Sequence, residues 1–134
     1  MTYSPKRPPL DPCPVEAVIA IVAGKWKARI LLELSGEPLT FGRLKRALPG
    51  VTQQVLSAQL RGLERDGIVS RTPVGPAPLD GSLYALTVEG RSLIPVLDRV
   101  AEWGLDRLER AGLAWRAPAR SGRRRAEDAR PDAS

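Results

Sequence analysis

Residues 52–71, TQQVLSAQLRGLERDGIVSR, constrain the fold more than any other stretch of the chain. Leu56, Leu60 and Leu63 recur at i, i+4 and i+7, the spacing of one buried helical face, and Thr52 stands just ahead of them where a hydroxyl can cap the helix. Advancing about 100° per residue from Leu56 puts Gln54, Ser57, Ala58, Arg61 and Arg65 on or near the opposite face, with Gln53 beside them. That outer face carries amides, a hydroxyl, a methyl and guanidinium groups. Such side chains can read base edges in a DNA major groove: Gln pairs with adenine, Arg with guanine, and Ala or a hydroxyl sits beside a thymine methyl. Asp66 and Gly67 close the helix, and Ile68 and Val69 open a strand.

Around this segment the chain divides readily. Residues 1–12 hold four prolines together with Lys6 and Arg7, and read as an irregular arm. Pro14 suits the first position of a helix whose cap is Cys13 and whose stripe is Val15, Val18, Ile19 and Val22. Gly24 interrupts it, and a second helix is expected from Lys25 through Trp26, Ile30, Leu31 and Leu34, with Lys25, Lys27 and Arg29 on its polar sides. Leu39 suggests a very short strand. Thr40 caps a third helix that turns Phe41, Leu44 and Leu48 inward and ends at Pro49 and Gly50. Only a few residues then separate it from the helix beginning after Thr52, which is the helix-turn-helix arrangement. Residues 68–74 and 82–86 read as two strands joined by a loop rich in Gly and Pro, a hairpin wing directly after the recognition helix. Thr87 caps a last helical region with Leu93, Val96, Leu97, Val100, Trp103, Gly104 and Leu108 as its stripe, and Pro95 is expected to kink or divide it. The fold class expected is mostly α with a small β-hairpin wing. The last stripe outruns the small core, and a second subunit is the economical cover for Trp103 and its neighbours.

Composition narrows the chemistry. The 134 residues include no histidine and one cysteine, which excludes Ser-His-Asp and Cys-His catalysis, an internal disulfide framework and a structural zinc site. An enzyme, a cofactor and a bound metal are therefore not expected. No apolar run of membrane-spanning length and no signal-peptide pattern is present, so a soluble, cytoplasmic protein is the expectation. The net charge of +6 suits a polyanionic partner, nucleic acid first. It is concentrated at the C-terminus: residues 115–134 hold 6 basic and 3 acidic side chains, against 15 and 12 in residues 1–114. That arginine-rich end, low in apolar bulk, is expected to be disordered.

Several motifs in order resemble the HxlR-type winged helix-turn-helix transcription regulators of bacteria. They are CPVEAVIAIVAGKW at residues 13–26, ILLEL in the second helix, LTFGRLKRALPGVTQQVLSAQLRGLERDGIVSR at 39–71, YALT after the wing and LIPVLDRVAEWG near the end. The resemblance covers residues 13–112, which form the expected domain between the arm at 1–12 and the tail at 113–134. It implies a winged helix-turn-helix with terminal dimerisation helices, acting as a homodimer on double-stranded DNA with dyad symmetry, most simply as a repressor. Val15, Val18, Leu97, Val100 and Trp103 are the interface residues on this reading. In some members of the family a cysteine at the position of Cys13 responds to oxidants or electrophiles and changes DNA binding. The chain departs from the family at the wing, where Leu79, Asp80 and Gly81 replace a basic tip and Ser82, Leu83, Tyr84 replace a Val-Glu-Tyr step. An acidic tip would be repelled by phosphate, which leaves the tail or the arm to supply that charge.

The expected DNA-binding set is thus Thr52, Gln53, Gln54, Ser57, Ala58 and Arg61 on the recognition helix, Arg43, Lys45 and Arg46 on the helix before it, and Arg71 at the foot of the wing. The second group is expected at phosphates, because that helix crosses the backbone. For Cys13 two readings stand: a thiolate favoured by the helix start and open to an oxidant, or a small packed residue with an inert thiol. A small-molecule effector between the helical layers of a dimer is a further expected partner, of no identifiable chemistry. The competing function is a winged helix that binds nucleic acid without sequence preference.

Overall fold

A computed structural model describes residues 13–74 and 81–115. The arm with Lys6 and Arg7, the wing tip with Leu79 and Asp80, and the tail from residue 116 onward lie outside the described residues. Among the described residues, helices and strands follow in the order α1 (Pro14–Val22), α2 (Lys27–Leu34), β1 (Leu39–Thr40), α3 (Phe41–Ala47), α4 (Gln53–Arg65), β2 (Val69–Pro73), β3 (Ser82–Leu86) and α5 (Val88–Arg110).

Helices α3, α4 and α5 each start on a threonine cap. The hydroxyl oxygens of Thr40, Thr52 and Thr87 accept from the backbone N–H groups of Arg43, Val55 and Gly90 at 3.3, 3.1 and 3.0 Å. Each thereby satisfies one of the N–H groups that a helix start leaves without a partner. Helix α4 ends as its Asp-Gly sequence requires. Gly67 has φ +74, its N–H donates to the Glu64 carbonyl, and the Ile68 N–H donates to the Leu63 carbonyl. This Schellman closure reverses the chain within two residues and aims Ile68 into the core.

The sheet orders its strands β1-β3-β2, all antiparallel. Leu39 pairs with Tyr84, and Val69 through Pro73 pair with Leu86 through Ser82. The short strand at Leu39 is therefore not isolated: it turns the two-stranded wing into a three-stranded sheet and makes β3 its centre. Burial follows that position. Ser82, Tyr84 and Leu86 alternate inward, while β2 is exposed beyond Val69.

Ile30, Leu31, Leu44, Leu56, Leu60, Leu63 and Ile68 are almost completely buried and bring α2, α3, α4 and the sheet together. Trp26 and Leu97 join this core at 8% and 7% exposure. Two expectations shift. The second helix begins at Lys27 rather than Lys25, because Gly24, at φ +104, and the next two residues bend to bring Trp26 into the core at the cap position. Pro95 does not divide the last helix, which runs unbroken through it for 23 residues.

The start of α5 packs against the turn after α4. Thr87 donates its hydroxyl to the Gly67 carbonyl at 2.7 Å, and its backbone N–H donates to the Ile68 carbonyl at 3.0 Å. Gly90 lies against that same carbonyl, so a Cβ there would collide with the Ile68 oxygen. Gly90→Ala should lower stability by about 1–3 kcal/mol in denaturant unfolding, even though Ala exceeds Gly as a helix former by about 1 kcal/mol. An unchanged or raised midpoint would mean that α5 does not rest on this turn.

Candidate nucleic-acid interface

The face of α4 turned away from the core is polar along its length. Thr52, Gln53, Gln54, Ser57 and Arg61 line one open hollow on the protein surface, and Ala58 is exposed on the same helix. They share it because Leu56, Leu60 and Leu63 take the opposite side into the core. Arg61 does not hang loose: its Nη1 donates to Ser57 Oγ at 3.0 Å, one turn earlier. The guanidinium keeps further donors, since Arg carries five N–H groups and accepts from none. Val55, 37% exposed, adds an apolar group to the helix's outer surface that the leucine spacing did not single out.

Arg43, Lys45 and Arg46 are exposed on α3, and among the described residues none of them has an ion-pair partner. Arg71 is in a different state. Its Nε lies 3.8 Å from Glu64 Oε2 and its Nη1 donates to Ser82 Oγ at 3.2 Å, so it ties β2 to both α4 and β3. Tyr84 lies close by: burial first, and then the Glu64 carboxylate, push its phenol above the usual tyrosine value, against the opposing pull of Arg71 and Arg61. The hydroxyl therefore stays protonated at neutral pH, a neutral member of a charged group. Leucine spacing and polar-face counting do not single out Glu64. Its place one turn after Leu60 is legible in the sequence, but its meeting with Arg71 depends on how the hairpin folds back on the helix.

The remaining expected residues lie away from α4. Cys13 is half-buried at the cap position of α1, where no side-chain hydrogen bond caps the helix. Val15 and Ile19 on α1, and Val96, Val100 and Trp103 on α5, are all at least 46% exposed, and Val18 is half-buried. Leu97 departs from this group. It is packed in the core of the chain itself, because the long stripe of α5 is two stripes: Gly90 and Leu97 face the core while Val96, Val100 and Trp103 face outward. Among the described residues no group of three or more His, Cys, Asp or Glu side chains could hold a metal ion, and no helix is long and apolar enough to cross a membrane.

The chain is similar to known transcriptional regulators in sequence and in fold. YdzF, an HTH-type transcriptional regulator of Bacillus subtilis, is 44% identical over 93 residues, which span 69% of this chain and 84% of YdzF. The redox regulator HypR in its reduced form superposes with a TM-score of 0.65 at 36% identity, over 70% of this chain and 92% of HypR. The reduced form of YodB, a transcriptional regulator of B. subtilis, superposes at 0.60 with 28% identity, over 69% of this chain and 91% of YodB. These solved structures share the winged-helix fold, and they are regulators rather than enzymes. Residues 21–112 match the HxlR-like helix-turn-helix family, and the chain is a member of that family, a transcriptional regulator of the helix-turn-helix type.

Proposed function

We propose that this regulator binds a dyad-symmetric DNA operator as a homodimer and represses transcription, with α4 reading the bases. The polar face of α4 carries the proposal. Gln53, Gln54, Ser57 and Arg61 surround one hollow, and the two glutamines and the arginine are the side chains that make bidentate contacts with adenine and guanine. Thr52 stands at the helix start and Ala58 adds a methyl to the same outer face. Arg43, Lys45 and Arg46, without carboxylate partners among the described residues, suit phosphates. Arg71, held in place by Glu64 and Ser82 yet exposed and with N–H donors to spare, is assigned to a phosphate at the foot of the wing.

The dimer rests on surface chemistry. Val15 and Ile19 of α1 and Val96, Val100 and Trp103 of α5 would leave large apolar groups in water in a lone subunit. Residues 13–112 would form the dimerising domain, with the arm at 1–12 and the tail at 113–134 outside it. Cys13, next but one to Val15 at the start of α1, is assigned as a thiol sensor for oxidants or electrophiles. HypR, a redox regulator solved in reduced and oxidised forms, and YodB, solved with quinone bound, support that assignment by similarity. With one cysteine per chain, any disulfide must join two subunits or take in a small thiol.

Four outcomes are expected. Selection from a random duplex pool should return a two-fold symmetric motif with half-sites about one helical turn apart. On that operator Gln54→Ala or Arg61→Ala should reduce discrimination against random duplex by about 1–3 kcal/mol. No enriched motif would leave a binder without sequence preference. Trp103→Glu should sediment as a monomer and bind the operator far more weakly, and a dimer of unchanged affinity would remove α5 from the interface. Treatment with a quinone or mild oxidant should alter operator binding by the parent protein and not by Cys13→Ser. An equal response in both would exclude Cys13 as the sensor.

A further inference from the structure

On the reading of this chain as a DNA binder, we propose that Lys25, Lys27 and Arg29 at the start of α2, together with Arg65 of α4, form a phosphate-binding flank beside the recognition helix, on the side away from the wing. Trp26 organises the first part of it. Lys25 Nζ sits 5.1 Å from the centre of its ring and Arg29 Cζ 5.7 Å, so two cations share one largely buried indole. Cation–π attraction holds both head groups, which lowers the side-chain entropy a ligand must take from them.

Gly62 organises the second part. A Cβ there would meet Lys27 Nζ at 3.1 Å, Lys27 Cε at 3.2 Å and Arg65 Nη2 at 3.8 Å. The missing side chain lets the lysine stem lie across α4 and brings its ammonium next to a second cation. Among the described residues none of the four has a carboxylate within ion-pair distance; those pairs are Arg71 with Glu64, Arg99 with Glu102 and Arg110 with Asp106. Within each of the two cation pairs, Lys25 with Arg29 and Lys27 with Arg65, the like charges repel one another, and a polyanion relieves that repulsion.

The direction of the patch selects the DNA backbone as that polyanion. Counting about 100° per residue around α4 from Arg61, Glu64 lies on one side and Gly62 on the other. Glu64 leads to Arg71 and the wing, and Gly62 leads to Lys27 and the start of α2. A helix seated in a major groove has a phosphate strand along each side. One strand then faces the hairpin and the other faces this cluster. The ring of Trp26 also reaches within 4.0 Å of where a Gly50 Cβ would be, in the turn that precedes α4, so the patch adjoins the reading helix at two points.

The test is the salt dependence of binding by the full chain, on the selected operator and on a random duplex of equal length. For Lys27→Gln/Arg29→Gln the slope of log affinity against log salt should fall by about 0.9 for each phosphate that is no longer neutralised, roughly 3–4 for a dimer. Affinity should drop by the same factor on both duplexes. Arg29→Gln alone, an exposed position that leaves the core untouched, should give about half of that change in slope. Arg99→Gln on α5 removes the same charge elsewhere and should leave the slope unaltered. A parent-like slope in the double variant, or one changed only as much as in Arg99→Gln, overturns the flank while operator binding stands. A parent protein that binds neither duplex in a salt-dependent way overturns the DNA reading itself, and this inference with it.

Discussion

The carbonyl of Ile68 is where this fold is held together. It emerges from the Schellman turn that ends the recognition helix, receives the N–H of Thr87, and lies against the backbone of Gly90 in the first turn of α5. A buried carbonyl left without a donor costs about 1–3 kcal/mol, and this one is satisfied by the residue that also caps the last helix. Recognition helix, wing and long C-terminal helix therefore meet at one hydrogen-bonded point. Because α5 runs 23 residues from there, its direction, and with it the placement of Val100 and Trp103, is set by the same few atoms that end α4.

The recognition helix is supported differently on its two sides. Toward the wing, Glu64 and Ser82 hold Arg71, and a half-exposed contact of this kind contributes at most about 1 kcal/mol. Its consequence is geometric, since it ties the first wing strand to the helix proposed to read DNA. Toward α2, an absent side chain at Gly62 has the equivalent effect by letting Lys27 approach. Leu56, Leu60 and Leu63 fix the rotation of the helix between them, and the outward direction of Gln54 and Arg61 is a result of that rotation.

Much of this was legible in the residues. Three threonine caps, the Asp-Gly closure and the leucine spacing of α4 placed the helices nearly where they stand, because each signal acts within one turn of chain. The same locality explains the misses. The stripe on α5 reads as one surface, yet Leu97 is buried and Val100 and Trp103 are exposed, since the helix's own period cannot say which part of a wide stripe another element covers. The residues around Arg71 likewise give no sign of Glu64 and Ser82, which only the fold brings to it.

By itself, then, the sequence determined what depends on neighbours within a few residues: the helix starts, the sharp turn at Gly67, the polar outer face of α4, and the absence of histidine that removes the usual catalytic base. Tertiary structure alone decided which charges meet. Lys27 reaches Gly62, and Arg71 reaches Glu64 and Ser82, across elements whose approach is set by packing. It also decided that Leu39 pairs with Tyr84, far along the chain, to complete the sheet. Local propensity depends on dihedral angles and short spacings, whereas contacts between distant segments exist only once the core has closed around Ile30, Leu44, Leu56 and Ile68.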